Sequence, residues 1–266
     1  MAYFSGDIYS KTLRYNTRIT AVFPDGTTEP ACRFPGEPKV LFLLHGLSDN
    51  ASTWTRFTKV EYYAKQYNFV VIMPDGARSF YTDMQEGMPY FTYVADELPE
   101  MAGKILNIST KREDTFIAGL SMGGYGAAKI GLSRPETFAG LGTFSGALDL
   151  AESIAIAGTK NDTLMHPDEF KAMFGPAMKL PAEDDIFALA EKEAKDPNRP
   201  KFFQCIGTED FLYAQNQRFR AKMKEVGYDE LYMDWPGVHC WLFWDVAIQR
   251  AMQFFRGLDP RKEEIC

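Results

Sequence analysis

"FIAGLSMGGYGAAKIG", residues 116–131, sets five glycines around one serine directly after an apolar run. Glycine clusters where a backbone turns tightly or passes close to another backbone, because it carries no Cβ to clash. An apolar run, then G-L-S-M-G, then a train of small residues predicts a strand, a sharp turn and a helix, with Ser121 on the turn. A serine displayed for chemistry sits on a strained bend that tolerates no bulky neighbour, and Gly119 and Gly123 stand two residues to either side of it. Gly124, Gly126, Ala127 and Ala128 are small enough for the helix to lie close on a sheet. A helix N-terminus immediately after the serine also favours developing negative charge. The competing reading is a flexible glycine loop, and the rest of the chain decides between the two.

Outward from this turn, short apolar runs alternate with amphipathic stretches. "KVLFLLHG" (39–46), "FVVIMPDG" (69–76), "DTFIAGLS" (114–121), "FAGLGTFSG" (138–146), "PKFFQCIGTED" (200–210) and "ELYMDWPG" (230–237) read as strands. Near-continuous apolar strands are expected where helices cover both faces of a parallel sheet. "KTLRYNTRITAVFPDG" (11–26) alternates polar and apolar residues up to a Pro-Asp-Gly turn, which predicts an antiparallel edge hairpin. Val94, Leu98, Met101 and Ile105 share one helical face, and Pro99 is expected to kink that helix. Leu212, Phe219, Met223 and Val226 line another helix, stopped by Gly227; Trp241, Trp244, Ile248, Met252 and Phe255 line the last. Residues 147–199 break the rhythm with no evident strand. They read as an excursion of loops and short helices, a cap-like insertion within a single domain spanning 1–266. The fold class is α/β, a mostly parallel central sheet with an antiparallel N-terminal edge and helices on both faces.

The bulk numbers exclude several partners. The chain has 266 residues, 45% hydrophobic, and a net charge of −7. An acidic balance with no basic run longer than two argues against nucleic acid or anionic membrane as partner. No segment reaches the roughly 18–20 consecutive apolar residues of a membrane span, and the N-terminus lacks the pattern of a secretory leader. Cys32, Cys205, Cys240 and Cys266 show no metal-binding spacing, so a reduced, cytoplasmic chain without disulfides or zinc is expected.

A serine hydroxyl is a weak nucleophile that needs a base, and the base needs an orienting acid. Three histidines are available. His166 lies in the irregular excursion and reads as a surface or cap residue, while His45 ends the strand before the first loop and reads as a turn former. His239 follows a late strand, between Gly237 and the last helix, and fits the chain order serine, acid, base. For the acid, the loop after the preceding strand offers Glu209 and Asp210, with Asp210 preferred at the start of the next helix and Glu209 as runner-up. Asp149 is a weaker rival that reads as a helix cap, and Asp234 and Asp245 read as solvated or capping. Acyl transfer also needs two backbone N–H groups to hold the oxyanion. Met122, next after the serine, and Leu47, just past His45-Gly46, are the expected donors. This chemistry calls for no metal or organic cofactor.

"LLHGLSDNASTW" (43–54), "SFYTDMQEG" (79–87), "DTFIAGLSMGGYGAAKIGL" (114–132), "TFSGALD" (143–149), "GTEDFLYAQN" (207–216) and "GVHCWLFWD" (237–245) occur in that order. Together they resemble the esterase D family of α/β-hydrolases, and within it the bacterial tributyrin esterases most. The resemblance spans nearly the whole chain and is least clear over 147–199. It implies a serine hydrolase that cleaves short-chain acyl esters, with Ser121 as nucleophile, Asp210 as acid, His239 as base, and the Leu47 and Met122 amides as oxyanion hole. Relatives implied by it include S-formylglutathione hydrolases, acetylxylan and feruloyl esterases, and mycolyl acyltransferases.

Aromatic residues crowd the expected site: Trp54, Phe80, Tyr81, Tyr125, Phe211, Tyr213 and Trp241. One reading packs them in the core; the other offers flat faces to a ring-bearing or sugar substrate, for which Trp54, Tyr81 and Trp241 are the candidates. The substrate expectation is therefore a small-molecule or carbohydrate ester, with a plant-polysaccharide ester, a glutathione thioester or acyl transfer as alternatives. An inert binding protein of the same fold need not keep serine, acid and base together in order. A homo-oligomer is compatible with the sequence.

Overall fold

The apolar runs pair side by side in the computed structural model, which describes residues 1–26, 31–159 and 165–265. The strands are β1 (Ala2–Ser10), β2 (Tyr15–Phe23), β3 (Lys39–Leu44), β4 (Phe69–Pro74), β5 (Thr115–Leu120), β6 (Gly140–Phe144), β7 (Lys201–Gly207) and β8 (Glu230–Trp235). They form one sheet in the order β1-β2-β4-β3-β5-β6-β7-β8. Strands β3 to β8 are mutually parallel, and β2 runs antiparallel to both β1 and β4. The helices are α1 (Thr53–Phe57), α2 (Val60–Gln66), α3 (Tyr90–Thr92), α4 (Leu98–Leu106), α5 (Met122–Ser133), α6 (Leu150–Ile156), α7 (Pro167–Phe174), α8 (Ile186–Glu193), α9 (Tyr213–Val226) and α10 (Trp241–Phe255).

The unbroken apolar character of the middle strands follows from burial on both faces. Val40, Phe42, Leu44 and Ile117 pack into one core with α4, α5, α8 and α9, while Leu41, Leu43, Phe116 and Leu120 pack into the other with α2 and α10. Each such side chain, fully buried, contributes about 1.5–3 kcal/mol over an exposed one. The predicted faces of the last two long helices hold: Phe219 and Met223 are buried on α9, which ends at Gly227 with φ 70°, and Trp244, Ile248, Met252 and Phe255 are buried on α10.

Three local expectations change. The edge hairpin begins further upstream than the alternation suggested: β1 precedes it, and the chain reverses over residues 11–14, where Arg14 takes φ 61°. Glu97 seals that turn by accepting from the Ser10 hydroxyl and the Lys11 and Thr12 amides at 2.6, 2.7 and 3.1 Å. The break expected at Pro99 is a single π-helical turn over Tyr93–Glu97, set between α3 and α4, with Pro99 the second residue of α4. Ile105, expected on the inner face, is exposed.

Residues 147–199 carry α6, α7 and α8 and no strand among the described residues; 160–164 lie outside them. A buried ion pair ties this segment to the helix behind Ser121: Lys129 of α5 meets the carboxylate of Asp184, and the Tyr125 hydroxyl donates to the Asp184 carbonyl. Burial pulls the Lys129 ammonium below its ordinary range, more than the Asp184 charge restores.

Candidate active site

Ser121 joins β5 to α5 at φ 53°, ψ −118°, a conformation that costs a side-chain-bearing residue about 1–3 kcal/mol. The strain is held by hydrogen bonds on both sides. The Ser121 N–H donates to Phe144 O at 3.0 Å, and its carbonyl accepts from Gly124 and Ala147 at 3.0 and 3.1 Å. The flanking glycines are fixed by contact. A Cβ at Gly119 would lie 2.3 Å from the Gly123 carbonyl oxygen, and one at Gly123 would lie 2.6 Å from the carbonyl oxygens of both Leu44 and His45. The G-x-S-x-G spacing is thus a packing requirement: strand, turn and the neighbouring β3 end touch backbone to backbone.

The loop after β3 is braced by His45. Its Nδ1 sits 2.7 Å from Gly46 O, and the Gly76 amide donates to its Nε2 at 2.8 Å. An N–H arriving at Nε2 fixes the proton on Nδ1, so the ring stitches the β3 and β4 ends together, the structural part read from the sequence. The Tyr81 hydroxyl donates to the His45 carbonyl at 3.1 Å. Asp49 closes the turn from its amide to Gly46 O at 3.2 Å; burial raises its carboxyl, with the His45 and His239 rings pulling the other way. Among the described residues, neither the Leu47 amide nor the Met122 amide donates to a protein acceptor. Both residues line the cavity that Ser121 lines.

Asp210 and His239 meet at the ends of β7 and β8. His239 Nδ1 lies 2.9 and 3.1 Å from the two Asp210 carboxylate oxygens, and Leu212 N–H donates to Oδ1 at 2.9 Å. The Asp210 side chain is fully buried, so its charge is satisfied by these donors and not by water. No hydrogen bond joins Ser121 to His239 among the described residues, and such bonds are often long without substrate. Glu209, the runner-up acid, instead accepts from the Gly237 amide at 2.6 Å, a bond that holds its carboxyl below the ordinary range. It fastens the loop that carries His239.

The remaining rivals have structural partners. Asp149 caps α6 through Glu152 N–H at 3.0 Å and pairs with Arg218. His166 caps α7 and is exposed. Asp234 accepts from the hydroxyls of Tyr213 and Tyr232, and Asp245 from Lys59 N–H and the Tyr63 hydroxyl. Among the described residues no group of three or more His, Cys, Asp or Glu is disposed to hold a metal ion.

A cavity of about 470 Å³ opens at Ser121. Its walls include Leu47, Met122, Phe80 and Phe211, and the 147–199 segment supplies Glu152, Ser153, Ile156, Met165 and Phe170. None of the three aromatics expected there lines it. Trp54 is fully buried, its indole N–H donating to Leu44 O at 3.1 Å, and its ring meets Phe144 and Trp241 edge-on. Tyr81 is fully buried under α5, where a Cβ at Gly126 would lie 2.3 Å from its ring. Trp241 packs on Trp54, Phe57 and Trp244. Phe80 and Tyr81 follow one another at φ 50° and 53°, which sends Phe80 to the cavity and Tyr81 beneath it. A larger groove, about 740 Å³, lies at the N-terminal ends of β7 and β8, the opposite end of those strands from Asp210 and His239.

The sheet order and the serine on its strand–helix bend are those of the α/β-hydrolase fold, and the chain is a serine hydrolase. It belongs to the esterase family described as "Putative esterase", whose sequence profile matches residues 10–255. The acetyl esterase of Caldicellulosiruptor saccharolyticus is 33% identical over 262 residues, covering 96% of this chain and 98% of that protein. The fluorophosphonate-binding serine hydrolase FphF of Staphylococcus aureus superposes with a TM-score of 0.84 at 31% identity, covering 96% of this chain and 98% of its own. The S-formylglutathione hydrolase FrmB of Staphylococcus aureus gives 0.82 at 31% identity with the same coverage. No helix among the described residues is long and apolar enough to cross a membrane.

Proposed function

We propose that the protein is a carboxylesterase for short-chain acyl esters that works through an acyl-enzyme on Ser121. The observation that carries this reading is Ser121 itself, held at φ 53° at the mouth of a cavity walled largely by apolar side chains. His239 takes the Ser121 hydroxyl proton as Oγ bonds to the ester carbonyl carbon. Asp210, on Nδ1, keeps Nε2 free to accept that proton and stabilises the imidazolium. The Leu47 and Met122 amides take the oxyanion, the second at the head of α5 where the helix dipole adds to it. The imidazolium then gives its proton to the leaving alcohol as the C–O bond breaks, and water repeats the sequence on the acyl-enzyme.

The cavity has the size of a small-molecule site and is roomier than a short acyl chain needs, so the short-chain reading is supported by the likeness to the acetyl esterase, and the 147–199 segment acts as the cap. The free thiols of Cys32, Cys205 and Cys240 fit a reducing, cytoplasmic setting. S-formylglutathione is the second substrate reading, supported by the likeness to the Staphylococcus aureus hydrolase. Fluorophosphonate labelling followed by peptide mapping tests the nucleophile, with Ser121 as the modified residue. A panel of acetate, butyrate and octanoate esters beside S-formylglutathione tests the substrate: the highest kcat/KM is expected at acetate or butyrate. A protein that labels at Ser121 yet prefers the thioester a hundredfold would overturn the ester reading while keeping the mechanism.

A further inference from the structure

Four exposed apolar residues lie on the segment that carries His239 or on ring contacts leading from it: Phe57 is 50% exposed, Phe211 57%, Val238 51% and Leu242 84%. Ring contacts connect Phe211 to Phe57 by way of His239, Trp241 and the buried Trp244. Phe211 packs on His239 with centroids 4.6 Å apart, His239 on Trp244 at 4.9 Å, Trp244 on Trp241 at 5.2 Å, and Trp241 on Phe57 at 5.2 Å. Val238 and Leu242 flank this row in the chain. Large apolar side chains left in water together mark a surface that something covers.

The chemistry identifies what covers it. An ester has two sides, and the leaving oxygen must take its proton from His239, so the alcohol lies on the His239 side of the carbonyl. The cavity at Ser121 is lined by Leu47 and Met122 and, among the described residues, not by His239. That lining suits it to the acyl side. Phe211 belongs to both surfaces and stands between them. We infer that Phe57, Trp241, Leu242, Val238 and Phe211 form an open shelf for the leaving group, fitted to esters of apolar, ring-bearing alcohols. The inference rests on the esterase reading and adds the alcohol class to it. It also gives Trp241, absent from the acyl cavity, a place in substrate binding.

An open shelf differs from a closed cavity in what it selects. The 470 Å³ cavity limits acyl length by its walls, whereas a shelf sets no upper limit and rewards apolar area. Alcohol size is thus tolerated, and alcohol polarity is what costs.

The test is a pair of ratios of kcat/KM, which reports the steps through acylation. Benzyl butyrate against methyl butyrate reads the shelf; methyl butyrate against methyl acetate reads the cavity. Phe57→Ala and Leu242→Ser should each lower the benzyl-to-methyl ratio about 5- to 20-fold and leave the butyrate-to-acetate ratio within about twofold. Ile156→Ala, in the cavity wall, should do the reverse. Leu242 is the most exposed of the four, so its replacement by serine tests the shelf without disturbing the fold. Benzyl-to-methyl ratios within twofold of wild type in both shelf variants would overturn the inference. So would a loss seen only above the solubility limit of the ester, which would make the surface an adsorption patch. A wild-type protein that labels at Ser121 but hydrolyses none of these esters would instead strike at the esterase reading.

Discussion

The bend at Ser121 and the 147–199 segment face each other across one cavity and are built by different means. The bend is backbone on backbone: Gly119 against Gly123, Gly123 against the carbonyls of Leu44 and His45, and Gly124 against Gly146, where a Cβ would come within 2.8 Å of the Cα. The segment is held largely by side chains, among them the Lys129–Asp184 pair, Arg78 on Glu169 and the Tyr125 hydroxyl, with two backbone bonds from the Gln85 and Glu86 amides to the carbonyls of Met173 and Ala172, and it meets the cavity through Ile156, Met165 and Phe170. Backbone contacts admit almost no substitution, whereas side-chain contacts admit many. On the proposed mechanism, the part that makes and breaks bonds is the one fixed by backbone, and the part that chooses the acyl group is the one open to replacement.

This contrast can be broken by measurement. Ser121→Ala should lower kcat by about 10⁴- to 10⁶-fold with the fold intact; a fall of less than a hundredfold would move the nucleophile elsewhere. Asp210→Asn should cost about 10⁴-fold in kcat, while Glu209→Gln, which keeps an acceptor for Gly237, should cost under tenfold; the reverse order would exchange their roles. Gly123→Ala should lower unfolding free energy by about 4–5 kcal/mol in denaturant titration, the range of severe core and backbone lesions. A milder loss would mean that the bend yields more than its contacts suggest.

On the other side of the contrast, Lys129→Met leaves Asp184 buried and unpaired and should cost about 3–4 kcal/mol. With the segment loosened, KM should rise more than kcat falls. An unchanged KM for butyrate esters would show that the segment's position does not set acyl binding.

The smallest effect lies away from both regions and calibrates the stability scale. Both carboxylate oxygens of Glu230 are buried without a partner among the described residues, and burial pushes this carboxyl up to about 7. The folded chain then holds a proton that the unfolded chain releases near 4.5, so stability falls as pH rises between those values. The loss is complete above about pH 7. Glu230→Gln should gain about 2–3 kcal/mol at pH 8 and nothing at pH 4; an equal gain at both would assign the effect to packing.

The middle strands were legible because two-sided burial writes an unbroken apolar run, and the bend because glycines two residues either side of a serine have few other uses. The Asp210–His239 pair followed from chain order and strand ends. Other features left weaker marks. Strand β1 is exposed along most of its length, so it carries no alternation to read. The π turn at Tyr93–Glu97 is one accommodation of Pro99 among several. A tryptophan beside the proposed oxyanion loop suggests stacking on substrate, yet Trp54 is fully buried. Its indole N–H was already met by a strand-end carbonyl, a bond no sequence pattern announces. Met165 and Phe170 reach the cavity from far down the chain, through tertiary packing alone.

The loops behind Asp210 and His239 are zipped together. Thr208 donates to Trp235 O at 3.0 Å, Glu209 to Gly237 O at 3.0 Å, and the Gly237 amide returns to the Glu209 carboxylate at 2.6 Å. Gly207 and Gly237 pass so close that a Cβ at the first would lie 2.2 Å from the carbonyl oxygen of the second. The proposed acid and base are therefore held in register with each other at the ends of β7 and β8, while the serine and the proposed oxyanion amides sit at the ends of β3 and β5 of the same sheet. A side chain at Gly207 would therefore disturb both loops at once, and with them both proposed residues.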